Sequence, residues 1–316
     1  MNFNSQQQWL EHYLNLQTAS PPKMRVLQEE INQKRVARIE RAMKTRPYRI
    51  GLQFVLPAAE QLSPVRVTTP SLPHDVIILG AISNDPTREI IWRRSERDEN
   101  FAYVGEENNL YLTLEEMSGQ SAQPQGGGQR GAFYFSAPIM LKANRRMTFE
   151  MFKNEPSDAP VTVWLTLICL RTLKYNTSLD EVQSKAVKKA LLLNDAPEQR
   201  FIKQKITFDA NGEARNVLSP VGLEEPHLIR GVKTSLNHSL VENVGIEGEP
   251  DWALEPFPLW SLASEPATAH ENYSFFARPV FLPAKTQFTM SLKNSLDGGE
   301  YSDGETGTIT WLLETV

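Results

Sequence analysis

Length, composition and charge set the first limits on this sequence. The chain has 316 residues, of which 40% are hydrophobic and 22% charged, so it has ample apolar material for a buried core. Its formal net charge of -5 does not favour general binding to nucleic acid. The single cysteine, Cys169, excludes an internal disulfide, and the five scattered histidines have no metal-ligand spacing, so no metal site is expected.

The first 46 residues predict helices, because they lack glycine and are rich in helix formers. The Ser-Pro-Pro at residues 20–22 separates two helices and provides a start for the second. An imperfect apolar stripe on the second helix consists of Met24, Leu27, Ile31, Ile39 and Met43. No apolar stretch approaches the roughly 18 to 20 residues that span a bilayer, and a secretory signal is not expected.

The second helix is basic, whereas the rest of the chain is acidic. Between Lys23 and Arg49 there are nine basic and three acidic residues, a local charge of +6. Such an arm could dock on phosphate, either in nucleic acid or in lipid head groups. The alternative is a solvated helix whose apolar stripe packs on a neighbouring subunit. The candidates for contact with a membrane or a genome are Lys23, Arg25, Lys34, Arg35, Arg38 and Arg41.

After Arg46-Pro47 the pattern becomes that of short strands separated by Pro, Asn, Asp or Gly. The strands expected before residue 174 are YRIGLQFVL, VRVTT, HDVIILGAIS, REIIWRR, NLYLTL, AFYFSAPIML, RMTFEMF and VTVWLTLICL. Residues 178–195 then have helical spacing and a serine at the expected start. The strands expected after this linker are FIKQKITFD, ARNVLS, HLIRGVKTSL, YSFFARPVFL, QFTMSL and TITWLLETV. Residues 243–266 show no clear period.

An internal repeat relates the two strand-rich parts. Phe135, Pro138, Leu141, Ala143 and Thr148 match Phe276, Pro279, Leu282, Ala284 and Thr289 at a constant offset of 141 positions. Two further landmarks keep the same order, a Pro-His pair upstream (His74 and His227) and a tryptophan downstream (Trp164 and Trp311). We interpret the proline as the end of a strand, after which the chain crosses to a second sheet. The repeated phrase is then the corner of a sandwich that occurs twice.

The predicted architecture is all-β, with two tandem eight-stranded jelly-roll sandwiches, an N-terminal helical arm and a helical linker. The predicted domains are residues 1–46 for the arm, 47–174 for the first jelly roll, 175–200 for the linker and 201–316 for the second jelly roll.

No pattern in the chain indicates catalysis. The Gly-rich residues 125–131 lack the Lys-Ser/Thr of a phosphate-binding loop, and the sequence has no GxSxG elbow. We therefore expect a protein that is not an enzyme and has no cofactor.

The layout of a Gln/Arg-rich helix ("LQEEINQKRVARIERAM"), then "RPYRIGLQFVL", then two sandwiches resembles the double jelly-roll major capsid proteins of tailless icosahedral bacteriophages. This resemblance implies a homotrimer whose six sandwiches form a pseudo-hexagonal block that tiles an icosahedral shell. It also implies that the helix lies on the inner side, toward membrane lipid or genome. Other capsid proteins, such as a penton, would be partners, and the protein would be assembled in the host cytoplasm and reside in the virion.

Three alternatives stay open. The first is an accessory protein of a tailed phage, such as a head-decoration, neck or tail protein with tandem sandwiches. The second is a carbohydrate-binding jelly-roll module, and the third, least favoured, is a cupin-type enzyme. Trp252, Phe257 and Trp260 are candidate subunit-interface residues, because "DWALEPFPLW" is too aromatic for a free loop; the alternative is that they close the end of the second sandwich.

Overall fold

The structure, a computed structural model, describes eleven stretches of the chain. They are residues 21–58, 64–85, 90–94, 132–151, 159–172, 199–218, 223–236, 239–249, 251–263, 274–294 and 303–316. These stretches contain one α-helix, α1 (Pro21–Lys44), and β-strands that form four antiparallel sheets. The predicted first helix, the strand NLYLTL and the helical linker fall outside the described residues.

The first half of the chain forms two of these sheets. Its strands are β1 (Thr45–Leu56), β2 (Val65–Thr68), β3 (Val76–Ser83), β4 (Ile90–Arg94), β5 (Phe133–Leu141), β6 (Met147–Met151) and β7 (Val161–Thr172). One sheet has the order β1-β7-β3-β5 and the other the order β2-β6-β4. Each of these described strands coincides with a predicted one.

The second half forms the other two sheets. Its strands are β8 (Gln199–Thr207), β9 (Glu213–Leu218), β10 (His227–Thr234), β11 (Ser239–Ile246), β12 (Phe257–Pro258), β13 (Ser274–Leu282), β14 (Phe288–Asn294) and β15 (Thr306–Thr315). The sheet orders are β13-β10-β15-β8 and β12-β11-β14-β9. A short 3-10 helix, Leu259–Ser261, follows β12.

Each half encloses its own hydrophobic core between its two sheets. In the first half, Phe54 and Leu165 from one sheet meet Phe149 from the other. In the second half the core contains Trp311, which contacts the ring of Phe288 with centroids 4.8 Å apart. Face-to-face packing around a continuous apolar layer defines each half as a β-sandwich.

The two halves have the same strand order. Each strand described in the first half has a counterpart in the second, because β1-β7-β3-β5 corresponds to β8-β15-β10-β13 and β2-β6-β4 to β9-β14-β11. The repeat offset of 141 also recurs in the backbone. Asn144 has φ 61° and Lys285 has φ 58°, so the turn after the repeated phrase contains a left-handed residue in both halves.

The repeated proline does not end a strand, contrary to the sequence interpretation. Pro138 lies within β5 and Pro279 within β13, and each of these strands is at an edge of its sheet. Proline is tolerated there because an edge strand need not donate every backbone N–H. The crossing to the second sheet occurs later, in the turn that contains Asn144 or Lys285.

Two other landmarks of the repeat are shifted between the halves. In the first half, Leu167 pairs with Ala81, one position after the register shift at Gly80. In the second half, Trp311 pairs with Val232, one position after the equivalent shift at Gly231. The counterpart of Trp311 is therefore Leu167 rather than Trp164. Similarly, Val76 pairs with Leu141 and His227 with Leu282, so the counterpart of His227 is Val76 rather than His74.

The strands β11 and β12 were not predicted. β11 is buried at both ends, and a register shift at Val241/Asn243 places two exposed polar residues, Glu242 and Asn243, in its middle. This break removes the alternation of period two on which strand prediction depends. β12 is only two residues long, which is too short for any periodicity to appear.

The register shift in β3 gives a first prediction. A methyl group on Gly80 would lie 2.1 Å from the carbonyl oxygen of Phe133 and 2.9 Å from Cα of Tyr134. We expect Gly80→Ala to lower the free energy of unfolding by about 1 to 3 kcal/mol, as other overpacked sites do, measured by urea denaturation. Ser71→Ala, at an exposed position, is the control. Equal stability of Gly80→Ala and the wild type would contradict this close approach.

Candidate functional site

The two sandwiches meet where residues 251–263, here called the bridging segment, lie against β1 and β7. The backbone N–H of Arg49 donates a hydrogen bond to the carbonyl of Trp252, at 2.8 Å. A Cβ on Gly51 would lie 2.6 Å from the Pro256 oxygen and 2.9 Å from Cβ of Phe257. Glycine at position 51 therefore allows the backbone of the bridging segment to approach β1 closely.

The side chain of Arg49 is the central polar group of this contact. It is 2% exposed, and its Nε and Nη2 atoms donate to the carbonyls of Ser261 and Leu262 at 2.9 and 2.7 Å. Burial lowers the pKa of this guanidinium to about 10, so the group remains charged at neutral pH. Carbonyl oxygens of the bridging segment thus provide hydrogen bonds that a buried charge requires.

A second arginine fixes the edge of the same contact. Arg46, which is 1% exposed, forms a two-pronged ion pair with Glu249, with Nε–Oε2 at 2.6 Å and Nη2–Oε1 at 2.5 Å. Its Nη1 donates to the carbonyl of Ala42 at 2.9 Å, near the C-terminus of α1, where a positive charge is favourable. Arg171 adds a bond from Nη1 to the Asp251 carbonyl, at 3.2 Å.

An aromatic pair lies near this edge of the junction. The ring of His74 meets the ring of Tyr48 edge-on, with centroids 4.9 Å apart. Burial, and then the charge of Arg171, lowers the pKa of His74 to about 4. Burial raises the pKa of the Tyr48 hydroxyl. Both rings are therefore neutral at physiological pH.

The helix α1 packs against the second sandwich although it leads directly into the first. Ile39, Ala42 and Met43 are buried against Leu228, Phe281 and Val316, and Val36 packs at the margin. Two of the five residues of the predicted apolar stripe, Ile39 and Met43, are thus used within the chain. Within the described part of the chain, no helix combines the length and the apolar character that crossing a bilayer requires.

A buried carboxylate completes the docking of the helix. Glu314 on β15, whose side chain is 6% exposed, pairs with Arg38 of the helix and with Arg230 of β10, the latter at 2.6 Å. Arg35 donates from Nη2 to the Thr315 carbonyl at 3.0 Å. Burial lowers the pKa of both Arg35 and Arg38. The last residues of the described chain thus hold the helix by directional bonds as well as by apolar contact.

The six basic candidates of the helix therefore differ in what they contact. Arg35 and Arg38 bind Thr315 and Glu314 inside the chain. Arg35 is buried, whereas the Arg38 side chain is still 37% exposed, and its contact with a membrane or a genome stays a prediction. Lys34 is exposed and pairs with Glu30 at 2.5 Å, and Arg41 is also exposed. The side chains of Lys23 and Arg25 lie outside the described residues.

Two of the three aromatic residues predicted for a subunit interface lie in a core instead. Trp252 and Phe257 are fully buried in the second core, and the ring of Trp252 lies 5.2 Å from that of Phe288. Because no surface of these two side chains is exposed, they do not form a subunit interface, and the alternative that they close the second sandwich describes them. Trp260 is half-buried, and its role at an interface stays a prediction. Neither Trp252 nor Phe257 offers a face on which a sugar could stack.

The described residues contain neither a reactive cysteine nor a cluster of metal ligands. Cys169 lies in the first core, and burial raises the pKa of its thiol to about 12, which makes it a poor nucleophile at neutral pH. Among the described residues, no group of three or more His, Cys, Asp or Glu side chains is arranged to hold a metal ion.

Comparisons with known proteins were made with the sequence and with the structure. No protein-family model matches the chain, and no curated protein matches it significantly. Among solved structures, one similar chain comes from an archaeal virus described by its triple jelly-roll fold and turret assembly. The two are 9% identical with a TM-score of 0.23, and the match covers 84% of this chain and 58% of that one.

A second similar structure is the STIV MCP, at 11% identity and a TM-score of 0.22, with 85% of this chain and 97% of that chain covered. This chain spans just under three-fifths of the length of the first of these proteins. At such TM-scores the likenesses carry no argument about function.

The buried Arg49 gives a second prediction. Arg49→Met keeps an unbranched side chain but removes the guanidinium, which leaves the carbonyls of Ser261 and Leu262 without their donors. We expect the free energy of unfolding to fall by about 2 to 4 kcal/mol, measured by urea denaturation. Lys44→Met, at an exposed position, should change it by less than about 0.5 kcal/mol. An Arg49→Met protein with the same free energy of unfolding as the wild type would show that the junction does not depend on this side chain.

The lowered pKa of His74 gives a third prediction. The folded protein keeps His74 neutral down to about pH 4, whereas in the unfolded chain His74 binds a proton near the ordinary histidine pKa of 6.5. Between these values the unfolded state binds more protons, so stability is lost as the pH falls from 6.5 toward 4. We expect the free energy of unfolding of His74→Gln to fall less than that of the wild type between pH 7 and pH 4.5. Parallel losses would contradict the assignment, since all other titrating groups are common to both proteins.

Proposed function

We propose that this chain is a structural protein of a virion, a capsid protein in which each half is a jelly roll. If β8 to β15 are numbered from one to eight, the sheets of the second half have the orders 6-3-8-1 and 5-4-7-2, and this order supports the jelly-roll assignment. The described strands of the first half have the same relative order. Jelly rolls occur in viral capsid proteins, lectins and cupins.

The observation that carries the proposal is the combination of this doubled strand order with a buried junction. A shell subunit must keep its shape while neighbours press on it from several sides. Here Arg49, the Arg46–Glu249 pair and the docked helix join the two sandwiches through directional bonds. A rigid double sandwich supports a role as a building block, whereas a tandem binding module needs no such fixed geometry.

The finer assignment is a major capsid protein that forms pseudo-hexagonal homotrimers. Three chains with two similar sandwiches each would present six similar units around one axis. Such blocks would tile an icosahedral shell together with other capsid proteins, such as a penton. The assignment to a tailless bacteriophage and the assembly in a host cytoplasm remain predictions from sequence.

The N-terminal helix is proposed to lie on the inner side of the shell. Its exposed basic residues Lys34 and Arg41 and the partly exposed Arg38, together with Lys23 and Arg25, are the candidates for contact with membrane lipid or genome. This part of the proposal concerns the outward surface of the helix, since its other side packs against the second sandwich.

Electron microscopy of the purified protein gives the fourth prediction. At high protein concentration we expect three-fold particles of hexagonal outline, with a mass in solution of three times the 35.8 kDa of one chain, because jelly-roll blocks associate through large preformed surfaces. Larger shells or sheets built from the same particles would agree with the proposal. A protein that remains monomeric under every assembly condition would contradict it, and rings without hexagonal outline would favour an accessory virion protein.

A further inference from the structure

The outward face of β8 is exposed, whereas on the neighbouring β15 Thr310 is half-buried and Leu312 and Glu314 are buried. Phe201 is 58% exposed, and Lys203 and Lys205 on the same side of β8 are exposed as well. Thr310 of β15, which pairs with Lys203, is half-buried. These four residues are called the β8 patch. The outward face of β10 and β13, by contrast, is covered where Leu228 and Phe281 contact the helix.

The strand registers identify the counterpart of this patch in the first half. Leu312 pairs with Phe201 and with Gly231, whereas Ile168 pairs with Arg49 and with Gly80. Because Gly80 and Gly231 mark the same register shift, Phe201 occupies the position of Arg49. By the same registers, Lys203 corresponds to Gly51 and Thr310 to Thr166.

In the first half this face is already an interface between sandwiches. Arg49 and Gly51 lie beneath the bridging segment, and Thr166 Oγ1 is 3.1 Å from Ser261 Oγ. One sandwich of the chain thus presents this face to the other sandwich, while at the equivalent strand of the second sandwich Phe201, Lys203 and Lys205 are exposed. We infer that the β8 patch is the surface through which this chain binds a second copy of itself.

The side chains of the patch determine what kind of contact this is. In the first half, a Cβ on Gly51 would lie 2.6 Å from the backbone of the bridging segment. Lys203 has such a side chain at the equivalent position, so a partner cannot approach β8 as closely as the bridging segment approaches β1. Phe201 supplies an apolar anchor in place of the buried guanidinium. Lys203 and Lys205 favour an acidic partner, and a second copy of a chain with net charge -5 meets that condition.

The contact joins a second-half face of one copy to a different surface of the next copy. Such head-to-tail contacts close into rings when the rotation between copies allows it. The inference deepens the proposed function and rests on it for the identity of the partner. It assigns to the assembly a defined surface that the proposed function alone does not specify.

Sedimentation velocity over a range of protein concentrations tests the inference. We expect the wild type to associate and Phe201→Asp to raise the dissociation constant at least about 10-fold, because burying a phenylalanine contributes about 1.5 to 3 kcal/mol. Met140→Asp is the matched control, since Met140 is 42% exposed on edge strand β5 of the other half. It should associate like the wild type.

The outcomes separate the inference from the proposed function. If the wild type and Phe201→Asp associate equally, or if Met140→Asp is equally impaired, the β8 patch is not the interface, although the proposed function stands. If the wild type never associates, both fall. Circular dichroism verifies folding, and Phe201→Ser replaces the aspartate variant if that variant unfolds. A photo-crosslinking amino acid at position 201 should yield a covalent dimer of the chain, and crosslinking confined to single chains would overturn the inference.

Discussion

The burial of one guanidinium group controls how the two sandwiches are joined. Arg49 is removed from water, so its N–H groups must find acceptors in the protein, and the carbonyls of Ser261 and Leu262 provide them. Hydrogen bonds have preferred directions, whereas apolar contact does not. The arginine therefore fixes the orientation of the bridging segment on β1, and Gly51 permits the short distance at which these bonds form. An apolar residue at position 49 could bury as much area without defining a single arrangement.

The helix connects to the same contact through covalent continuity. It ends at Lys44, β1 begins at the next residue, and Arg46 bonds both the helix end at Ala42 and Glu249 of the second sandwich. Upstream, Ile39 is buried on the second sandwich. Within about ten residues the chain thus contacts both halves, so a movement of one sandwich relative to the other would break bonds at each point. This coupling is what the proposed role as a shell subunit requires.

The sequence predicts the strands well and the contacts between elements poorly. Alternating β-branched and aromatic residues locate the described strands apart from β11 and β12, and the offset of 141 finds the repeated turn at Asn144 and Lys285. Aromatic residues in a Pro-rich segment indicate burial but not the partner, so the sequence leaves open whether Trp252 lies at a subunit interface or closes the second sandwich, in whose core it lies. Likewise, a basic residue such as Arg38 looks solvated in sequence, because its partner Glu314 is 276 positions away. Periodicity reports local environment, whereas pairing across the fold is a tertiary property.

Differential scanning calorimetry of the wild-type protein tests most directly whether the two sandwiches form one mechanical unit. A junction stabilised by Arg49 and the docked helix predicts a single unfolding transition, with a calorimetric enthalpy equal to the van't Hoff enthalpy. Two resolved transitions, or a van't Hoff enthalpy near half the calorimetric value, would mean that the sandwiches unfold independently. That result would contradict the account of the chain as a rigid block.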